Sequence, residues 1–296
     1  MAIKTFWSEP NVKTIKMKKL LLLLVVSLAL LQTGYAKGIH SVKVASYNVR
    51  YDNKHDGINV WANRKEQVKA LIQFHDFDIF GTQEAMIGQV EGIAELGQYA
   101  WLGKGRDDGQ RAGEHCAIFY KKDRFKLLDS GNFWLSETPD KPTIGWDSRV
   151  NKRVCSWGKF RDLKAKKEFY FFSVHFDNLG AVARRESGKL MVIKIKEIAK
   201  DKPVICVGDL NSTPETEQIK NMLSILSDAY AVTDQPPYGP LGTTNGFKFD
   251  ASMKHRIDYI FVSNQIKVLK YGALNDSYDQ KYPSDHLPIV AKVVIN

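Results

Sequence analysis

An acid and an imidazole stand side by side in Tyr282-Pro283-Ser284-Asp285-His286-Leu287-Pro288, just ahead of the last apolar run of the chain. A carboxylate can fix the tautomer of a neighbouring histidine, and histidine gives or takes a proton near neutral pH. Similar polar residues punctuate the chain elsewhere. Asn48, Glu84, His175 with Asp177 and Asn178, and Asp209 with Asn211 each follow an apolar stretch, whereas Asp258, like Asp285 and His286, precedes one. Asn and Asp at such places ordinarily make turns. Their shared position at the ends of apolar runs points instead to one functional rim.

The elements that must position them are short, nearly continuous apolar runs at 42–49, 78–83, 116–120, 169–174, 204–207, 259–262 and 289–295. Runs without polar alternation predict strands covered on both faces. Helical spacing occupies 61–75, with Trp61, Val68, Leu71, Ile72 and His75 on one side, and also 86–96 and 183–200. Strands interleaved with helices, together with hairpin-like meanders at 116–135 and 154–172, predict α/β architecture with mixed sheets. If the strands after Asp258 and His286 run antiparallel to the others, all the polar residues above meet at one edge.

Length and composition fit this picture. The chain has 296 residues, 44% hydrophobic and 26% charged, and no repeat or linker-like tract, which predicts one sizeable core. Its first residues read differently. Lys18-Lys19, an apolar run from Leu20 to Leu31 and small residues at Gly34 and Ala36 predict a secretory signal over 1–36, with Met17 as an alternative start, and a catalytic domain over 37–296. The run is shorter than the ~20 apolar residues of a transmembrane helix, and no cysteine follows it to carry a lipid. The expected protein is therefore exported, periplasmic or extracellular, and monomeric. The segment carries five lysines and one glutamate, so without it the net charge falls from +10 to +6. A basic domain suits phosphorylated partners but also serves solubility. Cys116, Cys155 and Cys206 lie inside apolar runs without CxxC spacing, which predicts buried free thiols and argues against zinc.

Taken together, SYNVR (46–50), TQE (82–84), GEHCAIFY (113–120), SVHFDN (173–178), VGDLNSTP (207–214), RIDYIFVS (256–263) and SDHLP (284–288) resemble the endonuclease/exonuclease/phosphatase superfamily over residues 40–296. The resemblance implies a DNase-I-like, four-layered αββα sandwich with two mixed β-sheets, and a metal-dependent hydrolase of phosphoester bonds. It makes Glu84 the principal ligand of Mg²⁺ or Mn²⁺, with Asn48 beside it and Asp285 in the metal-side network. Such ions take oxygen ligands, so no dense His/Cys cluster is required. Asp209 and Asn211 resemble the pair that orients the attacking water. His286 would pair with Asp258, and His175 with Glu114; which pair protonates the leaving group stays open.

Arg153 and Arg184 are candidates for binding substrate phosphate. Trp157 and Phe247 lie in stretches similar to the deadenylase-like branch and its exported bacterial relatives, and are candidate substrate-side aromatics. The expected substrate is a nucleic acid or a small phosphoester, making the protein a nuclease or a small-molecule phosphodiesterase or phosphatase. The alternative is a binding or scaffold member of the same fold that has lost catalysis.

Overall fold

Phe169 and Phe171 face one way along a strand and Phe172 and Val174 the other, and both sets are fully buried. Side chains alternate along a strand, so this one must be covered on both faces. It is β7 (Lys167–His175) in a computed structural model that describes residues 40–296 and the first two residues. The expected signal segment lies outside the described residues. Residues from His40 to Asn296 form one unit with its own cores.

Two six-stranded sheets build it. The first runs β11 (Ile266–Ala273), β12 (Ile289–Ile295), β1 (Ser41–Asn48), β2 (Ile79–Gln83), β4 (Ile118–Lys121), β3 (Tyr99–Leu102). The second runs β5 (Phe125–Trp134), β6 (Val154–Asp162), β7, β8 (Val204–Asp209), β10 (Asp258–Val262), β9 (Ser227–Asp228). Both are mixed: β1 pairs parallel with β2 and β7 with β8, while the remaining pairs are antiparallel.

The central core joins Val42, Val44, Ile79 and Ile118 of the first sheet to Phe160, Phe169, Phe171 and Val207 of the second. Each such side chain contributes about 1.5–3 kcal/mol on burial. Helices α1 (Trp61–His75) and α2 (Ile87–Ala94) cover the outer face of the first sheet. Helices α3 (Ala181–Ala199) and α4 (Glu217–Leu223) cover the outer face of the second. The result is the expected αββα sandwich. Gly81 lets the sheets approach closely, since a Cβ there would stand 2.6 Å from both Ser173 Oγ and Val207 Cγ2.

One expectation fails. The chain at 116–135 is not a hairpin, because β4 pairs with β2 and β3 while β5 pairs with β6 in the other sheet. Continuous hydrophobicity cannot distinguish a turn within a sheet from a crossing between sheets. The meander at 154–172 is a true antiparallel pair, β6 with β7. All three cysteines are free and buried, and burial pushes the Cys116 thiol up to about 12. Among the described residues no helix is long and apolar enough to cross a membrane.

Candidate active site

The strand register assembles the rim. Asp209, the last residue of β8, lies opposite His175 on one side and Asp258 on the other, so three functional side chains form a row across β7, β8 and β10. β10 is antiparallel to β8, and β12 is antiparallel to β1. The segments that precede those strands therefore arrive where β1, β2, β7 and β8 end. Asn48 closes β1 and Glu84 follows β2 from the facing sheet.

Side chains knit the two sheets together here. Asn48 Nδ2 donates to Glu84 Oε1 and to Asp209 Oδ2, each at 3.0 Å. Ser284 Oγ donates to Asn48 O at 2.7 Å, anchoring the Asp285–His286 segment to the end of β1. Asn245 N in turn donates to Asp285 O at 2.8 Å. Glu84 and Asn211 hold left-handed backbone, at φ 64° and 46°. Asparagine adopts this conformation readily, but for glutamate it costs about 1–3 kcal/mol, a strain characteristic of functional positions.

The two histidines differ in environment. His286 Nδ1 lies 2.9 Å from Asp258 Oδ2, which also accepts from Thr243 Oγ1 at 2.6 Å. Burial opposes the charged form of His286. The carboxylates of Asp258 and Asp209 and the hydrogen bond to Asp258 outweigh it, holding the imidazole well above its ordinary pKa and protonated at neutral pH. His175 is pushed the other way, by burial first and then by Arg153, Arg106 and His286, and is neutral.

The expected carboxylate partner of His175 is otherwise engaged. Arg106 Nη1 donates to Glu114 Oε2 at 2.5 Å, leaving that oxygen 3.9 Å from His175 Nδ1. Arg153 Nη1 comes closer, 3.2 Å from His175 Nδ1 and 3.3 Å from Nε2. A guanidinium beside an imidazole disfavours its protonation, whereas a paired carboxylate would favour it. The expected symmetry of two acid–imidazole pairs is therefore broken at His175.

Asp209 is the hub. Its Oδ2 lies 3.4 Å from His175 Nε2 and 3.8 Å from His286 Nε2, and its Oδ1 accepts from Asn211 N at 2.9 Å. Burial, then Asp258, raises its pKa to about 7, and burial does the same to Glu114, also to about 7. Asn211 Nδ2 stands 3.1 Å from His175 Nε2. Asp285 is raised by burial and by Glu84 against the pull of His286 and Arg50.

These oxygens suit a hard divalent cation. Glu84, His175 and Asp209 each offer a ligand atom within 4.8 Å of the others; Asp209, Asp258 and His286 lie as close together, but the protonated imidazole of His286 has no lone pair to give. Asp258 Oδ1 is buried without a hydrogen-bond partner. Carboxylates crowded until their pKa values rise are what a Mg²⁺-like ion would relieve, and the donor set is dominated by oxygen.

The other candidates sort by position. Arg153 is buried and held by Asp177 Oδ2 at 3.3 Å and Asn178 Oδ1 at 2.9 Å. Arg184 donates to Asp177 O at 3.2 Å, and Phe247 lies near the Asp285 segment with its ring under the Arg64 guanidinium. Trp157 does not reach the rim. It sits in mid-strand opposite Phe172 and Gly131, with its ring toward Tyr170 on the helix-covered face. Alternation along β6 puts it there, and clustering of tryptophans in sequence carries no such facing information.

Sequence reading missed Arg50, Arg64, Arg106 and Thr243. Arg64 had a signal: it occupies the apolar stripe of α1 between Trp61 and Val68, where a charge is out of place.

The sequence profile of the Endonuclease/Exonuclease/phosphatase family matches residues 45–286. The chain belongs to this family. The solved mannosyl-6-phosphatase of Bacteroides thetaiotaomicron VPI-5482 is 41% identical, with a TM-score of 0.82, covering 86% of this chain and 100% of that one. An endonuclease/exonuclease/phosphatase family protein of Bacteroides thetaiotaomicron is 40% identical, with a TM-score of 0.83, over 87% of this chain and 98% of that one. Nocturnin of Drosophila melanogaster is 24% identical over 59% of this chain but only 32% of its own length, so the match spans about a third of that relative.

Proposed function

We propose that the protein is an exported phosphatase that uses Mg²⁺ or Mn²⁺ to hydrolyse small phosphate monoesters, sugar phosphates foremost. The observation that carries the reading is the placement of Asp209 between a charged and a neutral histidine, with Glu84 and Asn48 facing it from the other sheet. The substrate class is supported by the mannosyl-6-phosphatase, 41% identical and matched over 100% of its length. Export rests on the signal-like residues 1–36 and the catalytic domain on residues 37–296.

Glu84, with Asn48 and Asp285, would hold the cation. When bound, it supplies positive charge to the phosphoryl oxygens. Asp209 and Asn211 orient a water toward phosphorus, and the Asp209 carboxylate accepts the proton that the water loses. His286, protonated and fixed by Asp258, donates to the ester oxygen as the P–O bond breaks. The products are an alcohol and inorganic phosphate. His175, neutral, hydrogen-bonds an unreactive phosphoryl oxygen, with Glu114 and Arg153 shaping its surroundings. Arg184 and Phe247 border the space beyond the phosphate.

The test is release of inorganic phosphate from mannose 6-phosphate, glucose 6-phosphate, inositol phosphates, single-stranded DNA and RNA, each with Mg²⁺ and with EDTA. Sugar phosphates are expected to be turned over fastest. Preferential cleavage of polynucleotide would make the protein a nuclease instead, and no turnover of any phosphoester would favour a binding protein.

A further inference from the structure

Arg64 is a buried cation with no carboxylate within ion-pairing distance among the described residues; its guanidinium is spent on main-chain carbonyls. Nε donates to Asn59 O at 2.6 Å, Nη1 to Val49 O at 2.9 Å and to Pro283 O at 2.6 Å, and Nη2 to Arg50 O at 3.1 Å. Its Cζ lies 5.4 Å from the Trp61 ring centroid and 5.3 Å from that of Phe247. Only 3% of the residue is exposed.

The acceptors belong to the segments that carry the proposed metal ligands. Val49 and Arg50 directly follow Asn48, and Pro283 lies two residues before Asp285, 219 residues from Arg64 in sequence. Backbone hydrogen bonds tie each segment to its own neighbours, Val49 N donating to Gln83 O at 3.1 Å and Asn245 N to Asp285 O at 2.8 Å, whereas Arg64 Nη1 joins the two segments to each other through Val49 O and Pro283 O. A carboxylate partner for Arg64 would add negative charge beside Glu84, Asp209 and Asp285. Carbonyls satisfy the guanidinium without cancelling its charge, and its field reaches Asp285 and Asp56.

Resting on the metal reading above, we propose that Arg64 is a positioning residue. It locks the Asn48 and Asp285 segments at the spacing that a divalent cation requires, and it offsets the repulsion among the assembled carboxylates. The fork geometry is essential: lysine keeps the charge but has no planar array of five donors to serve four carbonyls in different directions.

The experiment measures binding of Mn²⁺ alone to the full chain by electron paramagnetic resonance, without substrate, for wild type, Arg64→Lys and Arg64→Gln. Melting curves in EDTA and Michaelis constants for mannose 6-phosphate accompany it. The expected result is cooperative melting of the variants with Mn²⁺ affinity weakened by about tenfold or more, the scale for groups that orient metal ligands, and a Michaelis constant within about twofold of wild type. Wild-type Mn²⁺ affinity in Arg64→Lys would overturn the proposal. So would loss of cooperative melting in both variants, which would make Arg64 a folding residue only. Failure of wild type to bind Mn²⁺ would overturn the metal reading itself, and with it the role of Arg64.

Discussion

His286 Nδ1 lies 2.9 Å from Asp258 Oδ2, and Thr243 Oγ1 donates 2.6 Å to the same oxygen. The carboxylate is thus oriented from one side while it orients the imidazole on the other. Adjacent Asp285 does not serve His286 in this way; it is the partner 28 residues earlier in the chain that does. Asp258→Asn removes the negative charge but preserves the shape. The alkaline limb of the profile of kcat/KM against pH is expected to move toward lower pH, because His286 would lose its proton more readily, and kcat is expected to fall by about 10²-fold or more. An unchanged alkaline limb would dissociate Asp258 from the acid. The measurement is the rate profile from pH 5 to 10.

Stability should respond to pH in a direction that the raised pKa values fix. Asp209 and Glu114 have folded pKa values of about 7 against ordinary values of 3.8 and 4.5, so between these limits the folded state holds more protons and loses stability as pH rises. His286, also raised, extends the loss above its ordinary 6.5. His175 acts oppositely, but only below 6.5, where stability is lost as pH falls toward its lowered pKa. In EDTA the melting temperature is therefore expected to decline from about pH 6.5 upward. A divalent cation competes with those protons, so the gap between melting temperatures with Mg²⁺ and with EDTA is expected to widen from about pH 6 to about pH 8. Differential scanning calorimetry across this range checks both; a gap independent of pH would contradict the crowded-carboxylate picture.

Gly81 is required by packing. An added Cβ at 2.6 Å from Ser173 Oγ and Val207 Cγ2 would force the sheets apart beneath the rim. Gly81→Ala is expected to destabilise by about 1–3 kcal/mol, the cost of overpacking, as measured by urea unfolding. Metal affinity is expected to fall with it, because Glu84 is three residues away and faces Asp209 across the same gap.

What could be read from the sequence followed from local rules. Apolar runs located β1, β2, β7, β8, β10 and β12, and polar residues at their ends marked the rim, because strand ends are where a covered sheet meets water. The antiparallel arrangement of β10 and β12 was available only as a condition, since periodicity does not encode direction. Facing within a strand was lost at Trp157, and the crossing between sheets was lost at β4 to β5. The cationic contacts were hidden for a related reason. Arg106 reaches Glu114 and Arg64 reaches Pro283 O only through tertiary folding, and a surface arginine and a buried one look alike in sequence unless, as at Arg64, the residue interrupts an apolar stripe.

The most direct measurement is phosphate release from mannose 6-phosphate by wild type and by Glu84→Gln, titrated with Mg²⁺ after treatment with EDTA. Wild type is expected to be inactive in EDTA and restored by Mg²⁺. Glu84→Gln should remain folded and need about tenfold or more Mg²⁺ for half-maximal activity, with a reduced maximal rate. Equal rates in EDTA and Mg²⁺, or a Glu84→Gln variant indistinguishable from wild type, would contradict a cation held at this rim.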